Sequence, residues 1–159
     1  MERQRGMITI GDILSPEHIL LDLKVGTHIR AVAKVAELVE SDERVNDWER
    51  FYKGILEGSS CMANDHGSAL CIAHARTTAV NAMVMAVGRS VEGIPLEGQS
   101  ASVRLVFVIG VPVALASDYL RIIGALARIF RTAKGVQELL SAGTPEEFLE
   151  RLCTLEMEM

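Results

Sequence analysis

The residues best equipped for chemistry lie together between Ser59 and Arg76, in the run Ser-Ser-Cys-Met-Ala-Asn-Asp-His-Gly-Ser-Ala-Leu-Cys-Ile-Ala-His-Ala-Arg. A polar stretch of small residues leads into an apolar segment, Leu70 to Ala73, that ends at His74 and is followed closely by Arg76. The pattern reads as a loop entering a strand. A histidine at a strand end is rigidly held yet accessible, and an imidazole that is neutral near pH 7 is a competent nucleophile. Small residues before it would leave backbone N–H groups free to meet an anion. The guanidinium fork of Arg76 matches phosphate oxygens. Phosphoryl transfer asks a protein for positioning and charge stabilisation, so the constellation suits that reaction. From chemistry alone, a lone strand-end histidine is more often structural than reactive.

A rival chemistry occupies the same segment. Cys61, His66, Cys71 and His74 follow the spacing C-x4-H-x4-C-x2-H, two thiols and two imidazoles of the kind that bind zinc. That spacing matches no common zinc module. Cys71 and His74 are also an odd number of residues apart, so on a regular strand they face opposite ways; no metal is expected. His18, beside an apolar run, and His28, in a first helical turn, are expected to be structural or solvated. The chain has no Gly-rich phosphate loop followed by Lys-Ser or Lys-Thr, no G-x-G-x-x-G opening a helix and no G-x-S-x-G elbow.

The elements that must hold His74 follow from periodicity. His18 to Leu23 is an apolar run closed by Gly26 and reads as a strand. Thr27 suits a helix N-cap, with Ile29, Val32, Ala33, Ala36 and Val39 as the buried face. A second helix is expected from Asn46, with Glu49 completing a capping box, Trp48, Phe51, Tyr52, Ile55 and Leu56 as its stripe, and Gly58 as its stop. Leu70 to Ala73, Val80 to Val87 and Val103 to Val111 read as strands; the second is apolar on both alternating faces, so helices should cover both sides of the sheet. Gly88 to Ser102 reads as a surface loop. Leu120, Ile123, Leu126, Ala127 and Phe130 mark a helix. Val136, Leu139 and Leu140 mark another, ending near Gly143. Thr144-Pro145-Glu146-Glu147 opens a last helix, with Phe148, Leu149 and Leu152 facing inward. One strand, two helices, three strands and three helices do not alternate strictly. An α/β fold with a mixed β-sheet sandwiched between helices is predicted.

The chain has 159 residues, which predicts one domain over 1–159 and no need of a staple. Residues 1–7 read as a possible N-terminal extension, with Met7 as an alternative start. Apolar residues make up 49% and charged residues 23%, which excludes a disordered tail, a collagen-like repeat and a coiled coil. A net charge of −5 argues against binding a nucleic-acid backbone and suits a basic protein partner. Three cysteines without a C-x-x-C pair suggest a reduced, cytoplasmic compartment. The longest uncharged run, Leu105 to Ser117, is about thirteen residues against the roughly eighteen a membrane span needs, so no membrane insertion is expected.

Several segments together resemble a known family. Cys71-Ile72-Ala73-His74-Ala75-Arg76 is similar to the central Ala-Ile-Pro-His motif of the fructose/mannitol-type enzyme IIA domain of the bacterial phosphoenolpyruvate-dependent sugar phosphotransferase system. Val103 to Pro112 resembles its hydrophobic strand ending in Val-Pro, Asp118 to Arg128 its following helix, and Ile10 to Ile19 its start. The resemblance runs from about Ile8 to Leu152 and is nearest the soluble, nitrogen-regulatory branch. It implies that His74 accepts a phosphoryl group from a histidine-containing phosphocarrier protein. His74 then passes the group to a permease subunit or holds it as a regulatory mark, with no cofactor. Arg76, Tyr119 and loop N–H groups would surround the phosphate, and Met62 and Leu70 would rim an apolar depression for the partner. The alternative is a non-catalytic regulatory binding module of the same fold. Four positions depart from the family pattern. Ala73 replaces the proline, Gly58-Ser59 stands where an ungapped count places an Arg-Glu pair, Ala69 replaces a loop glycine, and Tyr119 replaces a second histidine. The lack of a permease segment favours a regulatory role over direct sugar import.

Overall fold

The structure, a computed structural model, describes residues 7–158; the expected extension over residues 1–7 lies outside them except for Met7. A short helix α1 (Ile10–Ile13) and a 3-10 turn (Pro16–His18) precede β1 (Ile19–Leu20). Helix α2 (His28–Ala36) runs on into a 3-10 turn (Glu37–Val39), and α3 (Trp48–Glu57) follows. Four strands come next: β2 (Ser59–Ala63), β3 (Ser68–Arg76), β4 (Val84–Pro95) and β5 (Ser102–Val111). A 3-10 turn (Val113–Leu115) leads to α4 (Ala116–Arg131), α5 (Ala133–Leu140) and α6 (Pro145–Met157).

The five strands form one mixed sheet in the order β1-β4-β5-β3-β2. The pairs β1/β4 and β5/β3 are parallel, and β4/β5 and β3/β2 antiparallel. Both faces are covered, as the doubly apolar strand requires. On one face Leu70, Ile72, Met85, Leu105, Phe107 and Ile109 meet α1, α4, α5 and α6. On the other, Ala69, Cys71, Ala73, Ala86 and Val108 meet α2 and α3. The small side chains of β3 on this second face let α3 approach closely.

Capping explains most helix starts. Thr27 accepts from the Arg30 N–H and Thr144 from the Glu147 N–H, as the sequence indicated. The second helix begins one residue later than expected, because Asp47, not Asn46, accepts the Arg50 N–H. Other expectations need correction. His18 belongs to the 3-10 turn, and only Ile19 and Leu20 pair as a strand, because the chain reaches the sheet edge for just two residues. Ile29 is exposed; Ala31, Val32, Val35 and Ala36 turn inward instead. Val80 makes only an isolated bridge to Val45, so β4 starts at Val84. Most of Gly88 to Ser102 is strand, not loop: β4 continues to Pro95 through an irregularity between Arg89 and Ile94. Gly93 sits there at φ +85, a conformation that favours glycine. Buried Arg89 donates to the carbonyls of Leu139 and Ala142, closing the C-terminus of α5. His18 is buried, with Ser15 Oγ 3.3 Å from Nδ1 and Asp42 Oδ2 3.7 Å from Nε2, in keeping with its structural reading.

Candidate functional site

The residues before β3 do not form a loop. Ser59 to Ala63 pair with Ala73 to Ala69 as the edge of an antiparallel hairpin whose turn lies around Asn64 to Gly67. Asn64 Oδ1 accepts from the N–H groups of His66 and Ser68 and closes that turn. The backbone N–H groups expected in a loop around an anion therefore belong to a strand and its turn, and every second one along β2 points into the β3 ladder. From His66 to His74 the strand path is roughly 25 Å, so the two histidines sit at opposite ends of β3. The rival zinc set fails for a second reason. Cys61 and Cys71 are direct cross-strand partners and are joined as a disulfide, which also corrects the reading of three unpaired, reduced cysteines. Among the described residues no group of three or more potential ligands gathers.

His74 lies near the carboxyl end of β3, opposite Ile109 of the parallel strand β5. Alternation along β3 puts it on the same face as Leu70 and Ile72, the side covered by α4. Its ring stacks on Tyr119, with centroids 4.5 Å apart and planes 25° from parallel. Its backbone N–H donates to the Gly58 carbonyl at 3.1 Å. The ring is half-buried, and that desolvation, helped by the charge of Arg76, pulls the imidazole below its ordinary value. The neutral form, with a free ring lone pair, therefore dominates at pH 7. Arg76 follows two residues on, exposed and on the same face of the strand. Burial pushes the Tyr119 phenol up to about 12, so it stays an O–H donor throughout the working pH range.

Two features of this site escaped sequence reasoning. One is the start of α4. Its N-cap, Leu115, carries no side chain able to cap, and Tyr119 lies about one turn inside the helix. The positive end of a 16-residue helix thus stands beside the histidine that Tyr119 covers. The sequence hides this start, because the cap-type residues Ser117 and Asp118 lie inside the first turn and not at the N-cap. The other is Gly58. A Cβ built there would lie 2.3 Å from the His74 carbonyl oxygen, so the junction of α3 and β2 presses directly on the His74 backbone. The apolar rim is also different from the expected one. Met62 is 39% exposed, but Leu70 is 1% exposed and part of the core. Leu120, expected to point inward, is 66% exposed beside Tyr119, and Val113 is 53% exposed just after β5.

Residues 12–154 match the family model described as phosphoenolpyruvate-dependent sugar phosphotransferase system, EIIA 2. The chain belongs to this family. It is similar to a fructose-specific EIIA component of the phosphotransferase system from Haloferax volcanii, 31% identical over 134 residues, covering 84% of this chain and 87% of that protein. Its fold matches the crystal structure of the nitrogen regulatory protein IIA-Ntr from Neisseria meningitidis, with TM-score 0.77 and 26% identity, over 90% of this chain and 98% of that one. It also matches the enzyme IIA of a mannitol enzyme IIA complex with phosphorylated enzyme IIB from Escherichia coli, with TM-score 0.68 and 18% identity, over 89% and 97%. This enzyme IIA is thus a component of the phosphotransferase system. The mixed sheet between helices is the fold it shares with its relatives, and no helix among its described residues is long and apolar enough to cross a membrane.

Proposed function

We propose that His74 is the phosphoryl acceptor of this enzyme IIA. The observation that carries the reading is the neutral, half-buried imidazole stacked on Tyr119 in the first turns of α4, a helix whose N-cap makes no side-chain hydrogen bond. A ring nitrogen of His74 uses its lone pair to form the new N–P bond as the bond from phosphorus to the donor's histidine breaks; the freed donor imidazole takes the electron pair. Tyr119 donates a hydrogen bond to a phosphoryl oxygen, Arg76 supplies a cation, and the helix start favours the added negative charge. The donor is a histidine-containing phosphocarrier protein. The onward receiver is a phosphotransferase-system subunit of the IIB kind or a regulatory target, and the likeness to IIA-Ntr supports the regulatory role. Met62, Val113 and Leu120 form the apolar rim that a covering partner meets. The setting is the cytoplasm, where phosphoenolpyruvate is supplied.

The test is a reconstituted labelling assay with labelled phosphoenolpyruvate, enzyme I, the carrier and this protein. Acid-labile label should appear on wild type and His66→Ala and vanish in a folded His74→Ala. One observation favours the second reading, a non-catalytic regulatory module. Position 58, where the ungapped comparison with the family places an arginine, has no room for a side chain. No label on folded wild type with a competent carrier would support that module and reject the phosphocarrier.

A further inference from the structure

We propose that Cys61 and Cys71 form a reversible redox cross-link that sets how firmly His74 is held. The effect on phosphoryl acceptance rests on the reading of His74 as acceptor; the effect on His74 positioning does not. The two cysteines face each other across β2 and β3. Hydrogen bonding alternates along this hairpin. Asn64 bonds Ser68 and Gly58 bonds His74, so Cys61 and Cys71 fall at a non-hydrogen-bonded pair, where opposed side chains come closest. Their sulfurs are unequal: Cys71 is fully buried against the α2/α3 core, and Cys61 is half-buried on the edge strand. Cys61 is the sulfur an external thiol can reach. The ladder pairs β2 with β3 on both sides of the bridge, so strand pairing does not require the bond and both redox states fit the fold.

The link to His74 runs through the backbone. Cys71 and His74 point to opposite faces, so no sulfur needs to touch the imidazole. Among the described residues strand β2 bonds only to β3, so it is an edge of the sheet, where opening is easier than in the central strands. It begins at Ser59, next to the Gly58 carbonyl that holds the His74 N–H. With the bridge closed, β2 cannot leave β3, and that hydrogen bond persists. With it open, the edge frays and His74 loses part of its support.

The chemistry is thiol–disulfide exchange with a small-molecule couple such as glutathione. In oxidation the Cys61 thiolate attacks the oxidant disulfide and expels one thiol. The Cys71 thiolate then displaces the second, forming the protein disulfide. Two electrons pass from protein to oxidant, and the two protons end on the released thiols. A thiol reductant reverses both steps.

The test uses the full chain in a Cys153→Ser background, equilibrated across oxidised-to-reduced glutathione ratios. Alkylation and intact mass count the thiols, hydrogen exchange follows the His74 amide, and the labelling assay follows phosphoryl acceptance. We expect a two-thiol transition, His74 amide exchange about three- to tenfold faster in the reduced form, and slower labelling in step with it. Cys61→Ala, which leaves buried Cys71 in place, should match the reduced form in either buffer. A pair that does not interconvert, or amide exchange that is identical in both forms, overturns the proposal. If neither form takes label but the amide responds, the positioning link stands and the phosphocarrier reading falls.

Discussion

Replacing Gly58 by alanine tests whether contact with His74 or backbone freedom explains this glycine, because the two predict opposite signs. Gly58 ends α3 at φ −116 and ψ 36, outside the left-handed region, so an alanine can adopt its conformation. If nothing stood in the way, the substitution would stabilise the fold by about 0.4–1 kcal/mol by restricting the unfolded chain. The structure predicts the reverse. The new Cβ would lie 2.3 Å from the His74 carbonyl oxygen and 3.2 Å from that of Gly54. The first approach is roughly 1 Å short of ordinary contact, and both obstacles are backbone, so no rotamer change relieves it. Overpacking of this kind costs about 1–3 kcal/mol, and parting β2 from β3 endangers the hydrogen bond from His74 to Gly58, worth roughly 1 kcal/mol. The expected loss is about 2–4 kcal/mol, a fall in melting temperature of roughly 9 °C at mid-range for a chain of this size. Thermal unfolding by circular dichroism reads the loss, and the labelling assay should fall with it as the His74 backbone shifts. Gly58→Arg should do no better, since any side chain meets the same carbonyl. A melting temperature equal to or above wild type for Gly58→Ala would refute the reasoning and reopen position 58 to a phosphate-clamping arginine.

The ring of His74, followed by its NMR signals, should titrate below the ordinary 6.5. In Arg76→Gln it should move up but stop short of 6.5, because burial is the larger cause and remains. Since the folded value lies below the unfolded one, the stability linked to this group is present above pH 6.5 and is lost as pH falls through the folded value; an Arg76→Gln titration that overshoots 6.5 would contradict the order of causes. Tyr119→Phe keeps the stacked ring and removes the donor. Labelling should slow by about three- to tenfold with stability within roughly 0.5 kcal/mol of wild type, and an unchanged rate would remove Tyr119 from the site.

Much of the architecture was legible because it depends on local patterns. The caps at Thr27 and Thr144, the period of α5 and α6, and the doubly apolar run feeding β4 each state their element within a few residues. The family motif around His74 was legible for the same reason: it is contiguous. The misreadings share a different cause. Ser59 to Ala63 is polar and small, so nothing local marks it as a strand; it pairs because β3 offers an open edge. Leu120 fits a helical stripe but faces outward, because α4 turns Ile122, Leu126 and Ile129 into the core instead.

By itself, then, the sequence determined the family, the mixed α/β class and the identity of the candidate acceptor, all of which depend on residue types at short, fixed spacings. Only the tertiary structure decided what surrounds that acceptor. The stacking of Tyr119, the start of α4, the approach of Gly58 and the bridge between Cys61 and Cys71 join residues that are 10 to 45 positions apart or lie in separate elements. Such contacts depend on register and crossing angle, which are properties of the packed sheet and helices and are not carried by any single stretch of chain.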